Sequence, residues 1–396
     1  MSDPAVLPIP DEVLEIARTL EEAGYEAWCV GGALRDALLG HPHSDFDFAT
    51  SATPAQVTAL FGRTAPVGEK YGTVGVLDRR RVLHEVTTFR RDVSTDGRHA
   101  VVAYGVSLDD DLARRDFTIN AIAYHPLHHE WRDPFGGRAD LARGVIKAVG
   151  QPAERFREDY LRILRGIRFA ARFGFTIEPA TWSAAVEAST GLGQLSAERV
   201  RDEWFKGLRT ARSVPELVGL WTRVGAAKRW IPQLGSVPAE RLARAGAVPV
   251  GRRDPVLLTA FLIDEAAPVL RRLRASNAEI ERAAAMARGP AGPAGADLRA
   301  VRRWLAAAGS ATADLLELHA LRAGVPAPWT DAVRQVRERR EPLTRGDLAV
   351  TGRDLQELGV TGPRIGELLA ALLDRVLEDP SLNRREALLA LARGMM

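Results

Sequence analysis

The hydrophobic period of the chain changes near residue 150, and that change restricts the fold more than any other feature. Upstream, short alternations bounded by turn residues predict strands at 26–30, 44–48, 72–77, 82–89, 99–104 and 119–124. Helical spacing interrupts them at 11–23, where Val13, Leu14, Ile16, Ala17 and Leu20 recur, and again at 33–39 after Gly31 and Gly32. Downstream the alternation fades, and helical periods predict helices at 153–173, 197–210, 215–224, 255–275 and 365–377. The Gly/Pro/Ala stretch 289–296 reads as a linker or exposed loop. The class is therefore α+β, a small mixed-sheet head followed by an extended helical part. A chain of 396 residues has room for two or three domains.

Charge divides the chain along nearly the same line. Residues 1–135 carry 13 basic and 21 acidic side chains, whereas 136–396 carry 41 and 30. An acidic head on a basic body fits a metal-using site joined to a surface for a polyanion, although uneven surface charge gives the same pattern. The single cysteine, Cys29, excludes a disulfide scaffold and a Cys-based zinc site, and reads as core. No apolar run approaches the roughly 18 residues of a membrane span, and the acidic N-terminus lacks the order of a signal peptide. The expectation is a cytoplasmic protein with no membrane partner. His125, His128 and His129 crowd before Glu130 in a hairpin turn. With no second ligand pair in sight, they read as turn residues rather than zinc ligands. Trp204, Trp221, Trp230, Trp304 and Trp329 are spaced as helix core, with room for one or two to stack on RNA.

The sharpest local pattern is Ser44-Asp45-Phe46-Asp47-Phe48. On a strand, Asp45 and Asp47 share one face and the two Phe side chains the other. Paired carboxylates backed by buried rings suit hard divalent cations, though such alternation is also common on solvated strands. Glu85, in the strand expected over 82–89, supplies a third carboxylate if the two strands are neighbours. Two metals so held serve an in-line displacement, one at the attacking hydroxyl and one at the leaving pyrophosphate. Just upstream, Gly31-Gly32 between a strand and a helix leaves bare backbone and unpaired N–H groups that can hold a triphosphate. No Gly-Lys-Ser/Thr follows, so this is not a Walker loop. Arg35 and Asp36 on the same helix either brace it or reach phosphates.

Together these residues resemble the class II tRNA nucleotidyltransferases, the family of CCA-adding enzymes and bacterial poly(A) polymerases. The likeness rests on the run from Val30 to Asp36, then Asp45-Phe46-Asp47, and continues in order. Glu85-Val86-Thr87-Thr88-Phe89-Arg90 resembles the family's third-carboxylate strand, and Asp96-Gly97-Arg98-His99 its flexible loop. Arg114-Arg115-Asp116, with Asn120, resembles the ribose- and phosphate-binding motif. The run from Glu158-Asp159 through Arg162 to Arg165 resembles the base-selecting helix, and Ser196-Ala197-Glu198-Arg199 with Glu203 the helix-capping motif of the neck. Beyond 210 the likeness thins, though segments at 351–355 and 362–366 resemble the bacterial CCA-type tail.

The resemblance implies a nucleotidyltransferase head over 1–138, a helical neck over 139–210, a body over 211–290 and a tRNA-binding tail over 291–396. Asp45 and Asp47 are expected to bind two Mg²⁺, with Glu85 orienting or deprotonating the attacking hydroxyl. Gly31, Gly32, Arg35, Arg114, Arg115, Asp116, Asn120, Glu158, Asp159, Arg162 and Arg165 are expected around the nucleotide. Asp116 and Asn120 fit ribose hydroxyls, and one of the two arginines before them fits phosphate. Asp159 and Arg162 lie three residues apart, so on a helix they share a face. Cytosine and adenine both present an amino donor beside a ring acceptor, whereas guanine and uracil present a carbonyl acceptor beside an N–H donor. One Asp/Arg pair can therefore accept C and A and leave polar groups unpaired against G and U. The alternative is a solvated charge face joined by a surface ion pair.

The segment 66–74 looks CCA-type rather than poly(A)-type, and the full-length stretch 90–113 argues against a CC-only enzyme. The expected activity is template-independent addition of C, C and A to the tRNA 3′ end from CTP and ATP, by a monomer that holds the acceptor arm. An A-adding enzyme remains the alternative.

Overall fold

The structure, a computed structural model, describes residues 6–41, 45–67, 72–95 and 100–396, side chains of 91–95 and 100–103 excepted. The expected flexible-loop motif at 96–99 and part of the CCA-type segment, 68–71, lie outside the described residues. The chain divides into two compact units, Met1–Ser236 with Pro249–Arg253 and Arg272–Arg274, and the remainder.

The first unit begins with α1 (Asp11–Glu22), β1 (Ala27–Val30), α2 (Gly31–Leu38), β2 (Asp47–Thr50), α3 (Pro54–Leu60), β3 (Thr64–Ala65), β4 (Thr73–Leu77) and β5 (Leu83–Thr88). Then come β6 (Arg90–Thr95), β7 (Ala100–Tyr104), α4 (Leu108–Ala113), β8 (Ala123–His125), β9 (Glu130–Arg132) and α5 (Gly137–Arg143). Four helices follow, α6 (Pro152–Glu158), α7 (Leu161–Phe173), α8 (Pro179–Glu187) and α9 (Ala197–Thr210). Seven strands form one sheet in the order β3-β4-β5-β2-β1-β8-β9. In it β2 and β5 run parallel and the other described pairs antiparallel. β6 and β7 make a separate antiparallel ribbon.

Both faces of the sheet are covered, so its central strands are buried almost along their whole length. Phe46, Phe48 and Val86 join Val13, Ile16 and Leu20 of α1 in one core. Ala49 packs on the other face with Val30, Leu108 and Leu112. Side-chain alternation therefore turns Asp45 and Asp47 away from the phenylalanines, as the sequence pattern requires.

Several boundaries move. β2 begins at Asp47, so Asp45 sits just ahead of the strand. The segment 119–124 is a 3₁₀ turn over Thr118–Asn120 followed by β8, and the 153–173 helix breaks into α6 and α7 at Asp159. The 255–275 helix breaks into Pro255–Leu262 and Ala266–Arg272. The helix over 197–210 has the expected bounds, with Ser196 at its N-cap position but without a side-chain capping bond.

α7 and α9 are locked by Arg168 and Glu203, 2.5 Å apart and both buried. Trp204 packs edge-on to Trp221 at 5.1 Å. In the second unit, Trp304 and Trp329 anchor one helical core and Leu355, Leu372 and Leu388 another. All five of the tryptophans read as core are buried. Among the described residues, no helix is long and apolar enough to cross a membrane.

Candidate active site

The site grows from the turn between β1 and α2. Gly31 adopts φ +81, a conformation that L side chains resist, and opens α2 directly from the strand. A Cβ built there would lie 3.5 Å from Asp47 Oδ2 and 3.7 Å from Arg115 Nη1, so this glycine marks the point where carboxylates and arginines meet. Gly31→Ala is expected to cost about 1–2 kcal/mol of stability, the penalty of a left-handed non-glycine residue, measured by urea unfolding.

Val30 pairs with Asp47, and Phe48 pairs with Val86 on the parallel neighbour. That register sets Asp47 beside Glu85, with Asp45 ahead of them at the strand entrance. Asp47 is half-buried, while Asp45 and Glu85 are exposed. Burial, then the charges of Glu85 and Asp45, push the Asp47 carboxyl up to about 6 against the opposing pull of Arg115. Asp47, repelled by both Glu85 and Asp45, makes with them the kind of all-oxygen donor set that a hard divalent cation favours.

Beside them lies a pocket of about 430 Å³ lined by Gly31, Gly32, Arg35, Arg114, Arg115, Asp116, Asn120, Asp159, Arg162, Arg165, Arg168, Phe169 and Arg172. Ten of the eleven residues expected around the nucleotide are among them. Glu158 is not; it sits behind, accepting from Arg155 at 2.5 Å and Arg162 at 2.7 Å. Carboxylates hold the guanidinium groups in place. Asp36 pairs with Arg35 and Arg172 at 2.7 and 2.6 Å, and Asp111 pairs with Arg114 and Arg115 at 2.9 and 3.1 Å. Because Asp36 and Asp111 each serve two arginines, the pocket keeps surplus positive charge for an anion. The Arg115 Nε is buried without a hydrogen-bond partner.

Asp116 is the hub of the floor. It accepts from Arg165 Nε at 2.7 Å and from Asn120 Nδ2 at 2.8 Å, while Asn120 Oδ1 accepts from Arg35 at 2.6 Å. Burial works against its charge, yet Arg165, Asn120 and the Phe117 backbone N–H hold the carboxyl down to about 2. A folded value depressed below the ordinary 3.8 contributes stability that is present above about pH 4 and lost as pH falls through about 2. Asp116→Asn is expected to flatten that part of the acid-unfolding curve and to lose about 1.5–3 kcal/mol at pH 7, followed by circular dichroism. The expected division of Arg114 and Arg115, one to phosphate and one to structure, is not visible in their bonds, because both pair with Asp111.

The helix break corrects the geometry expected for Asp159 and Arg162. Asp159 is extended, at φ −155 and ψ 104, and closes α6 rather than sharing a helical face with Arg162. Its Oδ1 accepts the Leu161 N–H at 3.0 Å, starting α7, and its Oδ2 accepts from Arg199 at 2.7 Å. Arg162 donates to the carbonyls of Arg155 and Arg114 and to Glu158. The two side chains do not bond each other; both line the pocket, each fixed by other partners and each with hydrogen-bonding capacity left over. Tyr160, at the break, lies where a Cβ on Gly191 would come within 2.1 Å of its ring, so only glycine fits beneath it.

Arg168, Phe169 and Arg172 were not foreseen. Their signal is helical spacing, since 162, 165, 168, 169 and 172 follow one side of α7 at intervals of three and four. Phe169 carries the guanidinium groups of Arg35, Arg165 and Arg168 over its ring at 4.9, 5.4 and 4.3 Å. Such contacts between cation and ring help keep the arginines ordered.

Carboxylates on adjacent strands beside an arginine-lined pocket define a nucleotidyltransferase class of site. Comparison with known proteins agrees. Residues 27–147 match the poly(A) polymerase head domain, and 174–235 match a probable RNA- and SrmB-binding region of polymerase A. The CCA-adding enzyme of Geobacillus stearothermophilus is 37% identical over 96% of this chain and 95% of its own. That of Lactiplantibacillus plantarum is 35% identical over 96% and 94%. The crystal structure of the Bacillus stearothermophilus CCA-adding enzyme in complex with CTP superposes with a TM-score of 0.83 at 33% identity, covering 97% of both chains. The chain belongs to the CCA-adding enzyme family of class II nucleotidyltransferases.

Proposed function

We propose that this protein adds C, C and A to the 3′ end of tRNA, using CTP and ATP and no nucleic-acid template. The observation that carries the reading is the junction at Gly31, where the Asp47 carboxylate meets a pocket lined by arginines. Relatives named for this activity over nearly the whole chain support it, as do structures of such enzymes described with CTP and with tRNA.

Family membership makes the enzyme metal-dependent, and the all-oxygen donor set favours Mg²⁺ held by Asp45 and Asp47. Two such ions held there would supply positive charge at the attacking and leaving oxygens. Glu85 then orients the terminal 3′-hydroxyl of the tRNA and accepts its proton at a carboxylate oxygen. The oxygen attacks the α-phosphorus, and the bond to pyrophosphate breaks in line. Gly31 and Gly32 leave room for phosphates, and Arg35, Arg114, Arg115 and Arg172 surround them with charge. Asn120 retains one N–H and one lone pair, and Asp116 retains lone pairs, for the ribose hydroxyls. Asp159 accepts the amino group of C or A, and Arg162 donates to the ring acceptor, with Arg165 completing the wall.

The basic surplus of residues 136–396 suits the acceptor arm through shape and phosphate contacts. We carry forward the head, neck, body and tail over 1–138, 139–210, 211–290 and 291–396, a monomeric state and a cytoplasmic location as parts of this reading. The test is pyrophosphate release with Mg²⁺ and each NTP. Release with CTP or ATP that requires tRNA supports the reading, and release without tRNA or equally with GTP and UTP rejects it. Raising the salt from about 50 to 200 mM is expected to weaken tRNA binding at least tenfold, as measured by filter binding.

A further inference from the structure

Two of the crowded histidines at the β8–β9 turn acquire a partner from α1, more than a hundred residues upstream. His125 ends β8, and His129 adopts φ +59, which folds the turn back. The His129 N–H donates to the His125 carbonyl at 2.9 Å, and its Nδ1 meets the Tyr124 hydroxyl at 2.9 Å. The His128 ring is thereby laid against that of His125, with centroids 4.4 Å apart. His125 is buried, its ring edge-on to Trp28 at 4.9 Å. In the last turns of α1, Glu21 presents Oε1 to both: it is hydrogen-bonded to His128 Nε2 and lies 3.8 Å from His125 Nε2. One donor atom from each of the three side chains falls within 4.8 Å of the other two.

From this juxtaposition we propose that Glu21, His125 and His128 form a binding site for a borderline divalent transition metal, with Zn²⁺ the representative ion, separate from the carboxylates of the active site. Two imidazole nitrogens and one carboxylate oxygen are a recurrent zinc donor set with an open fourth position. Tetrahedral bonds of about 2.0–2.2 Å place ligand atoms roughly 3.3 Å apart, so Glu21 Oε1 and His125 Nε2 close slightly from 3.8 Å while Glu21 Oε1 and His128 Nε2 move apart. Nitrogen donors select against Mg²⁺, which prefers oxygen and keeps its waters. Glu21 and His128 are partly exposed, leaving the fourth position to water. Two contacts have to open, the first being the hydrogen bond between Glu21 Oε1 and His128 Nε2, whose atoms lie closer together than two ligands of one ion. In the second, the His128 backbone N–H approaches His125 Nδ1 at 3.4 Å, and a metal on Nε2 puts the imidazole proton on Nδ1. The bound ion would staple α1 to the β8–β9 hairpin, two elements joined in sequence only through the whole central sheet.

The experiment uses the full chain, stripped with a chelator and held in millimolar Mg²⁺, titrated with Zn²⁺ against a chromophoric chelator. The expected result is one Zn²⁺ per chain with a Kd of about 1 µM or tighter, weakened at least about tenfold in both His128→Gln and Glu21→Gln and unchanged in Asp47→Asn. Co²⁺ should give a visible absorption band in the wild type that His128→Gln lacks. Zn²⁺ should raise the unfolding midpoint of the wild type alone, with the metal-free variants matching it. No Zn²⁺ binding by the wild type, equal binding by His128→Gln, or binding abolished by Asp47→Asn would overturn the proposal.

Discussion

Exchanging Asp47 for Asn is expected to lower nucleotide transfer by about a thousandfold or more while leaving tRNA affinity within about twofold. The rate loss corresponds to ~4 kcal/mol of transition-state stabilisation, the scale on which removing charge from a metal or oxyanion site acts. Stability should move the other way. Burial and the neighbouring Glu85 and Asp45 raise the Asp47 carboxyl to about 6, so its ionised form is disfavoured in the folded protein. That penalty is absent below about pH 3.8 and fully present above about pH 6. In metal-free buffer at pH 7.5, Asp47→Asn is therefore expected to unfold at the same temperature as the wild type or higher. Transfer retained within tenfold would reject Asp47 as a metal ligand. Transfer lost together with the folded structure would reject the separation of stability from chemistry at this residue.

Asp159→Ala is expected to act on choice rather than on rate alone. Each polar partner left unpaired against a base costs about 1–3 kcal/mol, so preference for CTP and ATP over UTP and GTP should fall roughly ten- to a hundredfold. The structure adds a condition that helical spacing alone does not contain. Asp159 also starts α7 through the Leu161 N–H and anchors Arg199, so its removal loosens the helix that carries Arg162 and Arg165. Arg199→Ala separates the two effects. It leaves the Asp159 carboxylate in place, and is expected to raise KM for both nucleotides several-fold with smaller loss of selectivity. Unchanged ratios of kcat/KM among the four nucleotides in Asp159→Ala would remove this residue from base selection.

The central strands and their carboxylates were legible because alternation is a local property. Phe46 and Phe48 face one core and Ala49 another, and that pattern is written in consecutive residues. What local pattern could not supply was the break at Asp159. The run from 153 to 173 keeps its apolar spacing through the interruption, and the break depends on tertiary contacts of Asp159 and Tyr160 with Arg199 and Gly191. Arg168 and Arg172 were obscured for a related reason. Their partners, Glu203 and Asp36, are 35 and 136 residues away, and only the fold brings them together. Glu21 escaped notice among the acidic residues of α1 because its histidine partners lie more than a hundred residues downstream.

The most direct test of the central claim is stepwise incorporation on defined tRNA ends. Purified protein with Mg²⁺ is given tRNA ending at the discriminator base, after C, or after CC, with each nucleotide singly and with all four together. The site described here predicts C and then C on the first two ends, A only after CC, and a complete CCA from the bare end without added enzyme. Extension of the CC-ended tRNA alone would make this an A-adding enzyme, and incorporation of G or U at comparable rates would contradict selection by Asp159 and Arg162.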